Sequence, residues 1–174
     1  MLIWLNGAFG VGKTTTAAAM VERTDGLRLF DPEWVGYMLR ANLGDVEHDD
    51  FQALSPWRSL VPQVAHQIAD FTASDLLAVQ TVLVESYWAE LASGFAQLHI
   101  EVRHVLLECD DAVLRDRIAA DEADRSAADW RLAHVEMFRS ARPWLLDAAD
   151  LVVDVTDCSP STAADAIIDA LGRL

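Results

Sequence analysis

The chain has 174 residues, 52% of them hydrophobic, with a formal net charge of −15. That length suits one domain better than two and can bury roughly 70% of the unfolded chain's surface, so neither disorder nor a disulfide scaffold is needed to explain it. The acidic balance excludes nucleic acid as a main partner, because phosphate backbones reward clusters of Lys and Arg, but leaves room for a small anion at a local positive site.

Taken in chain order, residues 2–5 read as a buried strand, followed by a glycine-rich turn and a helix over residues 13–23. Asn6-Gly7 interrupts the first apolar run, so no signal peptide is expected; with no stretch of about 20 apolar residues, a cytoplasmic location is expected. Residues 27–30 read as a second strand and residues 33–43 as a helix. Helices are expected over residues 59–77, 87–98, 112–120 and 128–142, with strands over residues 81–84, 102–107 and 151–155. In the closing helix Ala163, Ala164, Ile167, Ile168, Leu171 and Leu174 follow the i, i+3, i+4, i+7 spacing.

Prolines mark boundaries. Asp31-Pro32, Ser55-Pro56 and Ser159-Pro160 each place a capping side chain before a proline at the first helical position. Pro143 is expected to stop its helix, and Pro62 fits awkwardly within or at the start of its own. Near-continuous apolar strands alternating with helices indicate an α/β fold whose mostly parallel sheet is covered on both faces. Residues 1–174 are expected to form a single domain, with a polar loop at residues 121–129 inside a lid over residues 112–142. The only cysteines, Cys109 and Cys158, have no metal-motif spacing.

The decisive segment is Gly7-Ala8-Phe9-Gly10-Val11-Gly12-Lys13-Thr14. It matches G-x-x-x-x-G-K-[ST] in full, between a strand and a helix. Glycines let the backbone turn tightly against phosphates, and the loop amides and helix N-terminus direct positive charge at an anion. Lys13, the only lysine in the chain, can reach the β- and γ-phosphates, and Thr14 can present its hydroxyl to Mg²⁺. Thr15 is an expected α-phosphate contact. The implied cofactors are ATP and Mg²⁺, with GTP left open as the nucleotide.

Residues 2–15, followed by Leu29-Phe30-Asp31-Pro32-Glu33, resemble the tunicamycin-resistance branch of P-loop proteins. More broadly the chain is similar to small kinases of the nucleoside-monophosphate, shikimate, gluconate and chloramphenicol phosphotransferase type. The resemblance implies a three-layer α/β/α fold with a five-stranded parallel sheet ordered 2-3-1-4-5. The chain has no N-K-x-D or L-S-G-G-Q segment and is short for a typical AAA-type motor module.

The resemblance also assigns roles. Asp31, at the end of the second strand, would accept the proton of the acceptor hydroxyl; as a residue before proline it equally suits a helix cap. Glu85, after Val82-Leu83-Val84, would help hold Mg²⁺ through water, orient the acceptor, or cap a helix. Arg117, in Val113-Leu114-Arg115-Asp116-Arg117, would pack on the base or touch phosphate. Asp121 stands where the second lid arginine is often found, so Arg125 or Arg142 would have to substitute. Thr156 lies in the loop expected to border the adenine. Trp34, Trp57, Arg58 and Trp88 are candidates for the acceptor pocket, whose aromatic walls would suit a sugar, base or amphiphilic compound.

The expected function is ATP-dependent phosphorylation of a hydroxyl on a small molecule, an antibiotic or nucleoside-like compound by resemblance. The alternatives are ATP-gated sequestration of a ligand without modifying it, and a slow ATPase that signals to a partner. A monomer and a homodimer are both compatible with the sequence.

Overall fold

The first apolar run becomes the central strand, β1 (Leu2–Gly7), buried along its whole length. Its side chains alternate, so Ile3 and Leu5 face one core while Leu2 and Trp4 face the other. β3 (Asp75–Val79) pairs with it from Leu2↔Leu76 to Leu5↔Val79, and β4 (Val102–Glu108) from Leu2↔Val102 to Gly7↔Leu107. β2 (Leu27–Phe30) and β5 (Leu151–Asp154) complete a five-stranded parallel sheet in the order β2-β3-β1-β4-β5, as the resemblance implies. The computed structural model describes residues 1–120 and 128–172, apart from the side chains at positions 128, 129 and 131. Arg125 and much of the expected lid loop lie outside the described residues.

Helices cover both faces. On one, α1 (Lys13–Arg23) and α7 (Pro160–Leu171) pack Ala17, Met20, Ala163 and Ile167 into the core with Ile3 and Leu5. α5 (Asp111–Ala120) and α6 (Ala128–Ala148) extend that core through Leu114, Ile118, Val135 and Phe138. On the other face, α2 (Glu33–Asn42), α3 (Ser55–Thr72) and α4 (Glu85–Gln97) bury Val35, Trp57, Val61, Leu91 and Phe95 against Leu2, Trp4 and Leu76.

The third strand lies earlier than expected. The long helix ends at Thr72, with Ala73 in the left-handed region (φ 49°), and Asp75–Val79 forms the strand. Residues 81–84 look β-forming because of Thr81, Val82 and Val84, but they do not pair with β1. The Asn6 side chain takes both backbone groups of Val82: its Oδ1 accepts the Val82 N–H at 3.1 Å, and its Nδ2 donates to Val82 O at 3.2 Å. A carboxamide thus stands where a ladder partner would, satisfying the backbone without extending the sheet.

The prolines also need correction. Pro143 does not stop α6, which continues to Ala148. Pro143 itself is exposed, while Ala141 and Leu145 on either side are buried, so core packing carries the helix past it. Pro62 sits within α3, where its ring lies against Gly94 of α4; a Cβ on Gly94 would come within 2.8 Å of Pro62 Cγ. Ser55 is the first residue of α3 and does not cap it. Ser159 does cap α7, accepting the Thr162 N–H at 3.1 Å. That helix runs to Leu171, and Leu174 lies outside the described residues.

Candidate nucleotide and acceptor site

The phosphate loop leaves β1 at Gly7 and enters α1 at Lys13. Gly7, Gly10 and Gly12 have φ of 146°, 83° and 106°, a backbone L residues rarely adopt. Space is also closed at Gly7, where a Cβ would lie 2.6 Å from the fixed Leu107 carbonyl. Lys13 Nζ donates to Gly7 O at 3.0 Å and Ala8 O at 2.8 Å, holding the ammonium over the loop. Thr15 Oγ1 donates back to Gly12 O at 2.9 Å. Loop amides, a helix N-terminus and one ammonium converge here, the donor set a polyphosphate requires.

Buried polar contacts brace the loop from below. Asn6 Oδ1 accepts the Gly7 N–H at 2.9 Å, and Thr81 Oγ1 donates to Gly7 O at 2.8 Å. Asn6 Nδ2 reaches His104 Nε2 at 3.3 Å, and His104 Nδ1 lies 3.1 Å from Ala148 O. Ala148 O can only accept, so Nδ1 carries the proton and Nε2 accepts from Asn6. Burial pushes the His104 pKa down against the smaller opposing effects of Ala148 O and the Asp150 charge, so the ring is neutral near pH 7.

On the nucleotide side, Arg117 donates to Val11 O (3.3 Å), Val155 O (2.7 Å) and Thr156 O (3.2 Å). It therefore joins the phosphate loop to the segment after β5. Thr156 Oγ1 accepts the Asp110 N–H at 3.0 Å, fixing the start of α5 to the same segment. Arg142 forms a bidentate pair with Glu108 at 2.6 and 3.0 Å and lies away from these carbonyls.

On the other side of the loop, Phe9 forms part of a cavity of about 490 Å³. Glu33 and Arg40 of α2, Asp49, Asp50, Phe51 and Gln52 line it, as do Gln80, Thr81 and Tyr87 beyond β3. Trp130, His134 and Met137 of α6 close it, and Phe9 packs edge-on to Trp130 with ring centroids 4.6 Å apart. Asp31 Oδ1 accepts the Glu33 N–H at 2.9 Å, which fixes the turn into α2, and Tyr37 OH donates to Glu33 Oε2 at 3.0 Å.

A family model described as AAA domain matches residues 2–145. The chain belongs to the AAA domain family. At 174 residues this AAA domain is shorter than a typical motor module. No curated protein matches the chain. Among solved structures, a tunicamycin resistance protein from Deinococcus radiodurans is 25% identical, covering 99% of this chain and 96% of its own, with a TM-score of 0.74. A gluconokinase from Sinorhizobium meliloti 1021 (17% identity, 97% and 91% coverage, TM-score 0.65) and a shikimate kinase from Bacteroides thetaiotaomicron (14%, 98% and 98%, 0.61) share the fold. This AAA domain has a P-loop kinase fold resembling these small-molecule kinases.

The expected acceptor residues are dispersed. Asp31 and Trp34 line a separate apolar hollow with Leu29 and Met38, and Trp34 is 69% exposed. Trp57 is fully buried, its Nε1–H donating to Pro32 O. Trp88 is also buried, edge-on to Trp4 and tilted over His104. Arg58 stands behind the cavity wall: it pairs with Glu90, donates to Gln52 O and lies over the Tyr87 ring at 4.3 Å. Glu85 opens α4, and the residue that follows β3 is Gln80, whose backbone N–H donates to Leu5 O at 3.3 Å. Glu33, Gln80, Tyr87 and Trp130 line the cavity without standing among the residues that the sequence marks. The Asp-Pro-Glu sequence was the available signal for Glu33; Gln80 emerges only once β3 is placed.

Proposed function

We propose that the protein transfers the γ-phosphoryl group of ATP to a hydroxyl of a small molecule in the cytoplasm. The observation that carries this is the cavity beside the phosphate loop: Phe9 belongs to both, so an acceptor there adjoins the bound polyphosphate. Gly7 to Gly12, Lys13, Thr14 and Thr15 would hold the triphosphate, with Arg117 and Thr156 on the base side. In the reaction the acceptor oxygen bonds to the γ-phosphorus, the bond from that phosphorus to the bridging oxygen breaks, and ADP leaves with its electron pair. The hydroxyl proton passes to a carboxylate.

Asp31 and Glu33 compete for that proton. Glu33 lines the cavity, whereas Asp31 fixes the turn that presents it. We assign proton acceptance to Glu33 and positioning to Asp31. Among the described residues no three His, Cys, Asp or Glu side chains gather as a ready metal site. That suits Mg²⁺, which is commonly held by substrate phosphates and one or two side chains, here Thr14 with Glu85 as a second candidate. Mg²⁺ would supply charge neutralisation on the transferred group.

The tunicamycin-resistance likeness makes antibiotics and nucleoside-like compounds the first acceptors to test. Incubation with ATP, Mg²⁺ and each compound, read by mass spectrometry, decides. One added phosphoryl group on the compound supports transfer. ATP-dependent binding with unchanged ligand mass supports sequestration instead.

A further inference from the structure

α3 carries a wider apolar arc than one core takes. Trp57, Val61 and Ala65 enter the core beside Trp4. Val64 and Ile68 lie half-buried at its margin, and Phe71, three residues further on, is 92% exposed and belongs to neither core. β2 is an outer strand of the sheet and leads into α2, which brings Leu29, Trp34 and Met38 to the same face. Two hollows meet there. One, of about 570 Å³, has Leu29, Trp34 and Met38 along one wall and Val64 and Ile68 along the other; the second continues from Val64 and Ile68 to Phe71.

Area, shape and charge point to a second copy of the chain as what covers this face. Leu29, Trp34 and Met38 are 50%, 69% and 44% exposed. With Phe71 they present roughly 500 Å² of side-chain surface, about the apolar share of one side of a standard interface, which takes about 800 Å² per partner. A knob and a hollow on one face also suit a two-fold axis, because Phe71 of each chain can enter the hollow of the other and both contacts form together. Of the residues lining the two hollows only Asp31 is charged. Two chains of net charge −15 therefore approach here with little local repulsion, whereas an anionic lipid surface would repel the chain as a whole.

We propose that the chain forms a two-fold homodimer through the β2–α2–α3 face, with Phe71 of each copy seated in the hollow between Leu29, Trp34 and Met38 of the other. Such a dimer does not depend on the phosphotransferase reading. Its interface includes Asp31, whose carboxylate fixes the turn that presents Glu33, so assembly braces one wall of the cavity beside the phosphate loop.

Sedimentation velocity of the full chain over a micromolar concentration series is the test. The wild type should run at twice the chain mass and dissociate on dilution. Added salt should tighten the dimer by screening the like net charges, whereas an interface held by ion pairs would loosen. Phe71→Glu should weaken it at least about 100-fold, because the two-fold axis makes each substitution count twice. Far-UV circular dichroism of Phe71→Glu should match the wild type, since the ring packs in neither core. Val152→Glu, at an exposed position on the opposite outer strand β5, should leave the dimer intact. A wild type that stays monomeric throughout, or a dimer that loosens with salt, survives Phe71→Glu or is lost equally in Val152→Glu, would overturn the inference. So would a monomer that floats with phosphatidylcholine vesicles, which would assign the face to a membrane surface instead.

Discussion

The Thr81 hydroxyl donates to Gly7 O at 2.8 Å, the same carbonyl that accepts Lys13 Nζ at 3.0 Å. The first carbonyl of the phosphate loop is thus held from below by the segment after β3 and from above by the loop's own lysine. Thr81→Val removes only the lower contact. It should cost about 0.5–1.5 kcal/mol of stability and weaken ATP binding severalfold. Chemical denaturation and nucleotide titration of the variant check both effects.

Asp31 and Glu33 can be separated by substitution. Glu33→Gln should lower turnover by about 10²-fold or more with ATP affinity maintained, because it removes the carboxylate facing the cavity. Asp31→Asn keeps an oxygen able to accept the Glu33 N–H and should retain most activity. Steady-state kinetics on any accepted substrate decide; loss in Asp31→Asn with retention in Glu33→Gln would return the base role to Asp31.

His104 should give the fold a distinct pH dependence. Its folded pKa lies below the unfolded value of about 6.5, so the unfolded chain binds the extra proton first. The stability linked to this group is full above about pH 6.5 and is lost as pH falls through that value toward the folded pKa. Protonating Nε2 would also oppose it to the Asn6 Nδ2 donor. Melting temperature measured between pH 8 and pH 5 should fall more steeply in the wild type than in His104→Gln.

Gly36 tests a close approach between α2 and the short 3-10 turn at Phe51–Ala53. A Cβ there would lie 2.5 Å from Phe51 Cγ, and the Phe51 ring packs on Trp57 at 5.3 Å, leaving it little freedom to retreat. Alanine's helix propensity offers about 1 kcal/mol, whereas overpacking costs about 1–3 kcal/mol. Gly36→Ala should therefore lower the melting temperature. Unchanged or higher stability would show that the turn can shift.

The phosphate loop was legible because its signal is local: glycines, a lysine and a threonine at fixed spacing between a strand and a helix. The sheet order followed from resemblance. The third strand was misplaced because Leu76 and Leu77 can be read as extending the preceding helix, while residues 81–84 carry the stronger β-branched pattern. What decides between them is Asn6, 76 positions away from Val82, whose carboxamide takes the backbone groups a strand would need. The acceptor side was harder to read for the same reason. Trp88 and Tyr87 are adjacent in sequence, yet one enters the core and the other lines the cavity. That choice depends on the rotation of α4 against the sheet. Local pattern fixes which residues are aromatic but not which way they face.

The most direct test of the account is calorimetric titration of the folded chain with ATP in excess Mg²⁺, beside Lys13→Ala. The account predicts saturable one-to-one binding, weakened about 10–100-fold when the lysine's charge-assisted contacts are removed. Absence of binding to any purine triphosphate by folded wild-type protein would contradict it.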